Sequence, residues 1–562
     1  MTPRSGLLNP ALGAAILLGI FLLVVVTSVS TKSATYDESV HIFSGWRILT
    51  AGDYATNHEH PPLMKILAAL PLTFMKVQPP ASQMRREVDE WNVSHEFVYH
   101  VNDGDRILAA ARFPITLLAT ILGCVVYRYA AAVFGQPAAL AALALFVSEP
   151  NILAHSGLVT TDLGITAMTF FTFAAYVGYM RRGGRGRLAG AGVLFGLALL
   201  TKFTAILLAP ILAVAGAVIV TLDQSRRWRQ LAQSLAVVFG IGLLVLNLGY
   251  GFGGVFSSLR DFTPESERFK EYAASAFGGV PLPLPLEYVR GFDHAEAGGQ
   301  RWWSYLFGQH SMTGWRHYYL TALAVKTPLQ LLVLACVGLL AWPALVRAGG
   351  AASIFPRTVS TVDALLPQVP LLLFLAAFTL SSNLKNIGMR YILPVIPFLC
   401  LLGGMATRWR ADRLWSRVLM IGLIVWQGAI AVWMYPDYLT FFNLLVGGPS
   451  RGSEVLLDSN LDWGQDLKGL GRYIAERRIE TIYVDYFGRG CLRYYGVKST
   501  PDFQGGYIAV SATNLRGVYS EQKDRYRFLW GLQPEAVIGR SIFIYNVPRP
   551  ADWKPKPSAG AD

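Results

Sequence analysis

The chain has 562 residues, of which 53% are hydrophobic and only 15% charged, and its mean hydropathy is +0.38. Soluble domains carry about 25% charged residues, so a purely soluble protein is excluded and a polytopic membrane protein is expected. The net charge of +13 does not describe a nucleic-acid-binding face, because the arginines lie in short clusters between apolar stretches, where they act as cytoplasmic retention signals.

The first apolar stretch, Ala11 to Val26, follows Arg4 and precedes the small residues Ser33 and Ala34. It resembles a signal peptide but is read as an uncleaved first helix, because cleavage would detach the loop that follows it. Arg181, Arg182, Arg185 and Arg187 form one cluster, Arg226, Arg227 and Arg229 a second, Arg408, Arg410 and Arg413 a third, and Arg347 with Arg357 a weaker fourth. The first two are separated by about 35 mostly apolar residues, too many for one span and enough for a helical pair. Both clusters are cytoplasmic only if the chain crosses twice between them, which puts Thr201-Lys202-Phe203-Thr204 at the outer face. Counting in this way predicts about eleven spans with the N-terminus inside. The expected fold is therefore mainly α, with a membrane domain over 1–434.

On the outer side the sequence predicts a first loop over 31–105, a turn from Glu149 to Asp162, and a large Gly-, Pro- and Trp-rich loop over 252–317. A small α/β domain over 435–548 follows, with a helix from Gln465 to Arg478 and strands at Thr481–Phe487, Tyr507–Ser511 and Ile542–Val547. Residues 549–562 read as a disordered tail. Cys491 is the single cysteine of the C-terminal region, so no disulfide forms within it.

The chemistry-bearing residues gather on the same outer side. Asp37-Glu38, just after the first helix, is a costly pair to keep near a membrane, and an outward-facing carboxylate suits a general base. His60, held extended by Pro61-Pro62, is placed to donate to a phosphate oxygen. His58, Glu59 and His60 match none of the common zinc spacings, so no metal ligand is assigned, and a divalent cation there is the alternative. Lys202, Lys385 and Arg390 are basic groups at one membrane depth, suited to a lipid headgroup phosphate, against which stands the reading of side chains snorkelling at helix ends. Asp162 begins a span, where capping alone would explain it. Asp103-Gly104-Asp105 is a weak match to the Asp-x-Asp of nucleotide-sugar enzymes, whose substrates are absent from this side.

The order Asp37-Glu38, His60-Pro61-Pro62-Leu63, Asp162, Thr201-Lys202 and Arg390-Tyr391-Ile392-Leu393-Pro394 resembles the polyprenyl-phosphate-dependent glycosyltransferases of the GT-C fold, which include protein O-mannosyltransferases and lipid A aminoarabinose transferases. The resemblance implies Asp37 as catalytic base, Glu38 as its partner, Asp162 as a second carboxylate, and His60, Lys202, Arg390 and Tyr391 on the donor phosphate. It implies an undecaprenyl-phosphate-type sugar donor, an inverting displacement, and a glycan, lipid or protein acceptor whose binding residues are not identified; no cofactor is assigned, and a divalent metal is left as the alternative. No β-trefoil module is recognisable, so domain content does not favour a protein acceptor. The location implied is the bacterial inner membrane, with the active site and C-terminal domain periplasmic. Two other classes fit the composition: a transporter or flippase of lipid-linked sugars, and a non-catalytic membrane scaffold. The charged candidates cluster at one face rather than at the midplane, which speaks against transport. The segment Asp458-Ser459-Asn460-Leu461-Asp462-Trp463-Gly464-Gln465-Asp466 either packs structurally or helps select the acceptor.

Overall fold

The computed structural model describes residues 9–82, 90–223, 226–299, 302–347, 359–381 and 386–554. Lys385, Arg357 and the end of the tail from 555 onward lie outside the described residues.

Helix α1 (Pro10–Ser30) starts where the Asn9 side chain accepts the N–H of Ala11 and proline takes the first helical position, a place where its missing N–H costs nothing. Leu12, Ile16, Ile20 and Leu23 form an exposed stripe, while Phe21 and Val25 face inward; an apolar stripe on the outside suits a lipid-facing helix. The first loop then folds as α2 (Glu38–Ala51), α3 (Leu63–Ala69) and α4 (Glu90–Tyr99). The approach of α2 to α3 depends on Gly45, where a β-carbon would sit 1.9 Å from the Lys65 carbonyl oxygen. Beyond it run α5 (Gly104–Phe134), capped by the Asp103 side chain on the Arg106 N–H, then α6 (Gln136–Val147), α7 (Pro150–His155), α8 (Thr161–Arg182) and α9 (Arg185–Leu199).

Among the described residues, eight helices are long and apolar enough to span a bilayer, and the bent pair Tyr318–Lys326 and Leu329–Pro343 makes a ninth. The expected eleven is reached only if the shorter α6 and α9 also cross. Helix α8 carries Asp162 at one end and Arg181 and Arg182 at the other. At about 1.5 Å per residue, 22 residues separate the acidic end from the basic end by roughly a bilayer core.

After the last span, Leu414–Met434, the chain does not leave the bundle. Tyr438, Leu439, Phe441, Phe442, Leu456, Leu457, Leu461 and Trp463 join the same buried cluster as the spanning helices. The α/β unit proper begins with the helix Leu467–Arg477. After the short hairpin β1 (Ser304–Leu306) and β2 (Gln309–Ser311), strands β3 (Tyr483–Asp485), β4 (Gly506–Ser511), β5 (Ala536–Ile538) and β6 (Ile542–Val547) form a sheet in the order β3-β4-β6-β5. The β3–β4 pair is parallel and the other two are antiparallel. The tail expected to be disordered from 549 is instead packed as far as Trp553, which is buried against Tyr483, Phe503 and Tyr526, because a large aromatic ring recovers enough apolar surface to order its segment.

Candidate active site

Asp37 sits at the junction of the loop leaving α1 and the first turn of α2, and its carboxylate accepts from Arg390 Nη1 at 3.1 Å. The same Nη1 lies 3.6 Å from Asp162 Oδ2, and Asp162 Oδ1 accepts from Lys202 Nζ at 2.6 Å. Two carboxylates and two cations thus run in one chain, Asp37, Arg390, Asp162, Lys202, drawn from four distant parts of the sequence. Tyr391 lies beneath both cations, its ring centroid 4.4 Å from Lys202 Nζ and 5.4 Å from the Arg390 guanidinium carbon, where a ring face attracts positive charge. Asp162 does not serve as a helix cap; Thr160 holds the cap position of α8, and the Asp162 side chain is fully buried in the ion-pair chain.

The backbone brings these groups together by specific ties. Lys202 follows α9 in a short turn, and the carbonyl of neighbouring Leu200 accepts the N–H of Leu63 at 2.9 Å, which anchors the Pro61-Pro62 corner beside Lys202. Arg390 stands in the 3-10 turn Met389–Val395 that opens a span, and the Met389 N–H donates to Asn460 Oδ1 at 2.9 Å. Tyr36, next to Asp37, donates its N–H to the Trp463 carbonyl at 2.8 Å.

Glu38 is not part of the Asp37–Arg390–Asp162–Lys202 chain; its partners are Arg112 and two backbone N–H groups. It is 0% exposed and forms a two-pronged pair with Arg112, Nε to Oε1 at 2.9 Å and Nη2 to Oε2 at 2.6 Å. It also accepts the N–H groups of Thr35 and Val159 at 2.8 and 3.0 Å. Burial would raise its pKa, but Arg112 and the two N–H donors outweigh that and hold it below the usual carboxylate range. Expected as the partner of Asp37, Glu38 instead clamps the loop that carries Asp37, because consecutive residues at a helix start point about 100° apart.

His60 is in the site but not as a cation. Its ring packs edge-on to His41 at 5.2 Å, and burial, then the nearby His41, Lys202, Lys65 and Arg390, push its pKa well below the usual value. A neutral imidazole still donates one N–H, so it can position an oxygen without adding charge.

Three further residues, none assigned to the site individually from the sequence, complete the wall. Trp463 lies with its ring 4.3 Å from the Arg390 guanidinium carbon, and His155 packs against Trp463 at 6.1 Å. Asp458, in the left-handed region at φ 57, accepts from the Tyr519 hydroxyl and lies in the field of Arg390. Burial lowers His155 to about 4. Asp458 and Trp463 fall in the segment read from sequence as packing structurally or helping to select the acceptor, and His155 in the predicted outer turn; nothing local marked them as neighbours of Arg390. Asp162 Oδ2, Arg390 Nε and His155 Nδ1 have no hydrogen-bond partner although buried. Such groups are costly unless a ligand satisfies them, and an unpartnered guanidinium N–H suits an anionic oxygen.

Residues 103–250, which hold Asp162 and Lys202, match the family model of dolichyl-phosphate-mannose-protein mannosyltransferases. No curated protein sequence matches the chain. Among solved structures, ArnT from Cupriavidus metallidurans in the apo state is similar at 15% identity and a TM-score of 0.48, over 96% of this chain and 100% of that one. The same protein bound to undecaprenyl phosphate is similar at 15% identity and 0.44, over 95% and 99%. The archaeal oligosaccharyltransferase AglB from Archaeoglobus fulgidus, in complex with an inhibitory peptide and a dolichol-phosphate, is similar at 12% identity and 0.48, over 92% and 71%. The family match over 103–250 thus lies within a chain whose described residues hold eight helices, or nine with the bent pair, long and apolar enough to span a bilayer, as expected of a multi-pass membrane protein.

Proposed function

We propose that the protein moves a sugar from a polyprenyl-phosphate carrier of the undecaprenyl type to an acceptor on the periplasmic side of a bacterial inner membrane, with inversion at the anomeric carbon. The observation that carries this reading is the shared guanidinium: Arg390 Nη1 reaches Asp37 at 3.1 Å and Asp162 at 3.6 Å, while its Nε stays unpartnered. A donor phosphate engaging Arg390 and Lys202 competes with Asp37 for the guanidinium and frees that carboxylate. Asp37 then accepts the proton of the acceptor hydroxyl or amine as its oxygen or nitrogen attacks the anomeric carbon. The bond from that carbon to the phosphate oxygen breaks, and its electron pair leaves on the lipid phosphate, stabilised by Arg390 and Lys202. His60, held neutral, donates to a phosphate oxygen, and Glu38 holds the Asp37 loop through Arg112. A phosphate leaving group needs cationic stabilisation more than a general acid, which fits a site with two cations and no protonated carboxylic acid assigned.

The reading is tested with purified protein and a lipid-phosphate donor carrying a labelled sugar. Transfer to an acceptor fraction by the wild type, and its collapse in Asp37→Asn, is the expected result. Donor binding without transfer, by a wild type that moves the labelled lipid across a vesicle bilayer, would favour the flippase instead.

A further inference from the structure

A second cluster of chemistry lies outside this site, between the first loop and the C-terminal unit. His95 on α4 and His100, just past its end, come together with Cys491 from the loop after β3; one ligand atom from each, an imidazole nitrogen or the sulfur, lies within 4.8 Å of the others. We propose that His95, His100 and Cys491 bind a single borderline-soft divalent cation, Zn2+ being the best match, as a clamp between α4 and the C-terminal unit.

The donor set carries the choice of metal. One thiolate and two imidazoles are the mixed nitrogen and sulfur ligands that Zn2+ takes in tetrahedral geometry, whereas Mg2+ and Ca2+ take oxygen. In such a site the ligand atoms stand about 3.5 Å apart, given Zn–N near 2.0 Å and Zn–S near 2.3 Å, so closing from separations of at most 4.8 Å needs movements of no more than about an ångström. The fourth position is left to water. Cys491 is buried and is not in a disulfide, and the remaining cysteines, Cys124, Cys336 and Cys400, lie in the spanning helices α5, Leu329–Arg347 and Ile396–Ala406. A buried solitary thiol in the C-terminal unit, facing two histidines from another part of the chain, thereby acquires a use.

The clamp's location gives it a consequence. The Arg489 guanidinium, two residues before Cys491, lies 5.2 Å from the Tyr36 ring and 5.3 Å from the Trp91 ring. Tyr36 adjoins Asp37 and Trp91 belongs to α4. The Tyr99 ring, at the end of α4, packs against Tyr494 at 5.3 Å. Metal bound at His95, His100 and Cys491 would tie these contacts into one rigid block beside the Asp37 loop. This assignment is independent of the reaction proposed above, and it differs from the His58, Glu59 and His60 set, which the sequence did not support as a metal site. His58 instead groups with Glu265 and His294, a set that contains no thiol.

The test uses full-length protein in detergent micelles, stripped with a chelator and titrated with Co2+ and then Zn2+. The wild type is expected to bind one Co2+ with a thiolate-to-cobalt charge-transfer band and tetrahedral d–d bands, which Zn2+ bleaches, and Zn2+ is expected to raise its unfolding temperature. Cys491→Ser is expected to lose the charge-transfer band. His100→Ala changes an exposed side chain whose ring contact here is with His95, at 5.1 Å; it is expected to weaken Co2+ binding at least about tenfold and to abolish the Zn2+ effect on unfolding. Absence of the band in the wild type, its persistence in Cys491→Ser, or unchanged affinity in His100→Ala would each overturn the assignment. Binding of metal with d–d bands but no thiolate band would place it on the His58 group instead and would equally overturn it.

Discussion

Arg390 and Asp37, 353 positions apart in the chain, meet at 3.1 Å, and the same guanidinium nitrogen lies 3.6 Å from Asp162. One side chain therefore holds the carboxylate proposed as base and the carboxylate that anchors Lys202. Anything that occupies Arg390 must change the surroundings of both.

Asp37→Asn keeps the size and the hydrogen-bonding reach of the side chain but cannot accept a proton. Transfer under single-turnover conditions is expected to fall by about 10²- to 10⁴-fold, the usual contribution of a positioned base. Donor binding, followed by equilibrium titration, is expected to hold or tighten, since a competitor for Arg390 has lost its charge. Transfer within a few-fold of wild type would remove Asp37 from the chemistry.

Arg390→Lys retains charge but not the planar fork that spans two acceptors. Losing one charge-assisted hydrogen bond of about 1.5–3 kcal/mol corresponds to a rise in donor KM of roughly 10- to 160-fold. A variant with unchanged donor KM and reduced kcat would show that Arg390 orients Asp37 without meeting the phosphate.

Glu38→Gln leaves Arg112 buried without its counter-charge, a change that costs about 3–5 kcal/mol for buried pairs. The pH dependence follows from the direction of the shift. The folded-state pKa of Glu38 lies below the ordinary 4.5, so its stabilisation is complete above that value and is lost as pH falls through the lower, folded-state value. Thermal unfolding from pH 7 into the acid range is expected to show this loss in the wild type and a smaller slope in Glu38→Gln. Identical slopes would mean that Glu38 does not carry the acid response.

Trp463→Leu removes the ring that lies 4.3 Å from the Arg390 guanidinium carbon while keeping an apolar filling. A cation–π contact is worth about 0.5–2 kcal/mol, so donor KM is expected to rise by about 2- to 30-fold, with unfolding of the C-terminal unit little changed by near-ultraviolet circular dichroism. A loss of stability with unaltered kinetics would make Trp463 a packing residue alone.

Much of the architecture was readable one segment at a time. The apolar stretches, the helix after Asp466 and the strand Ile542–Val547 rest on local patterns of hydrophobicity and turn residues, and Asp162 and Arg181 could be assigned to opposite ends of one helix from their separation along it. The grouping of Asp37, His60, Asp162, Lys202 and Arg390 at one end of the bundle follows from the same reasoning, because crossing number and the arginine clusters constrain membrane depth. Depth is all that such reasoning reaches. It could not tell that 435–466 returns to the bundle, since Leu456, Leu461 and Trp463 are apolar positions that would suit a separate small domain equally well.

What the sequence by itself determined is thus a membrane protein with its charged candidates collected at one end, because hydropathy and charge bias are properties of short windows. Only the tertiary structure decided the partners: Asp37 with Arg390, Asp162 with Lys202, Glu38 with Arg112, Trp463 over Arg390. Coulomb and hydrogen-bond energies change steeply over a few ångströms, and those ångströms are set by how distant helices pack. Two adjacent acidic residues consequently have different partners, Asp37 facing Arg390 and Glu38 facing Arg112.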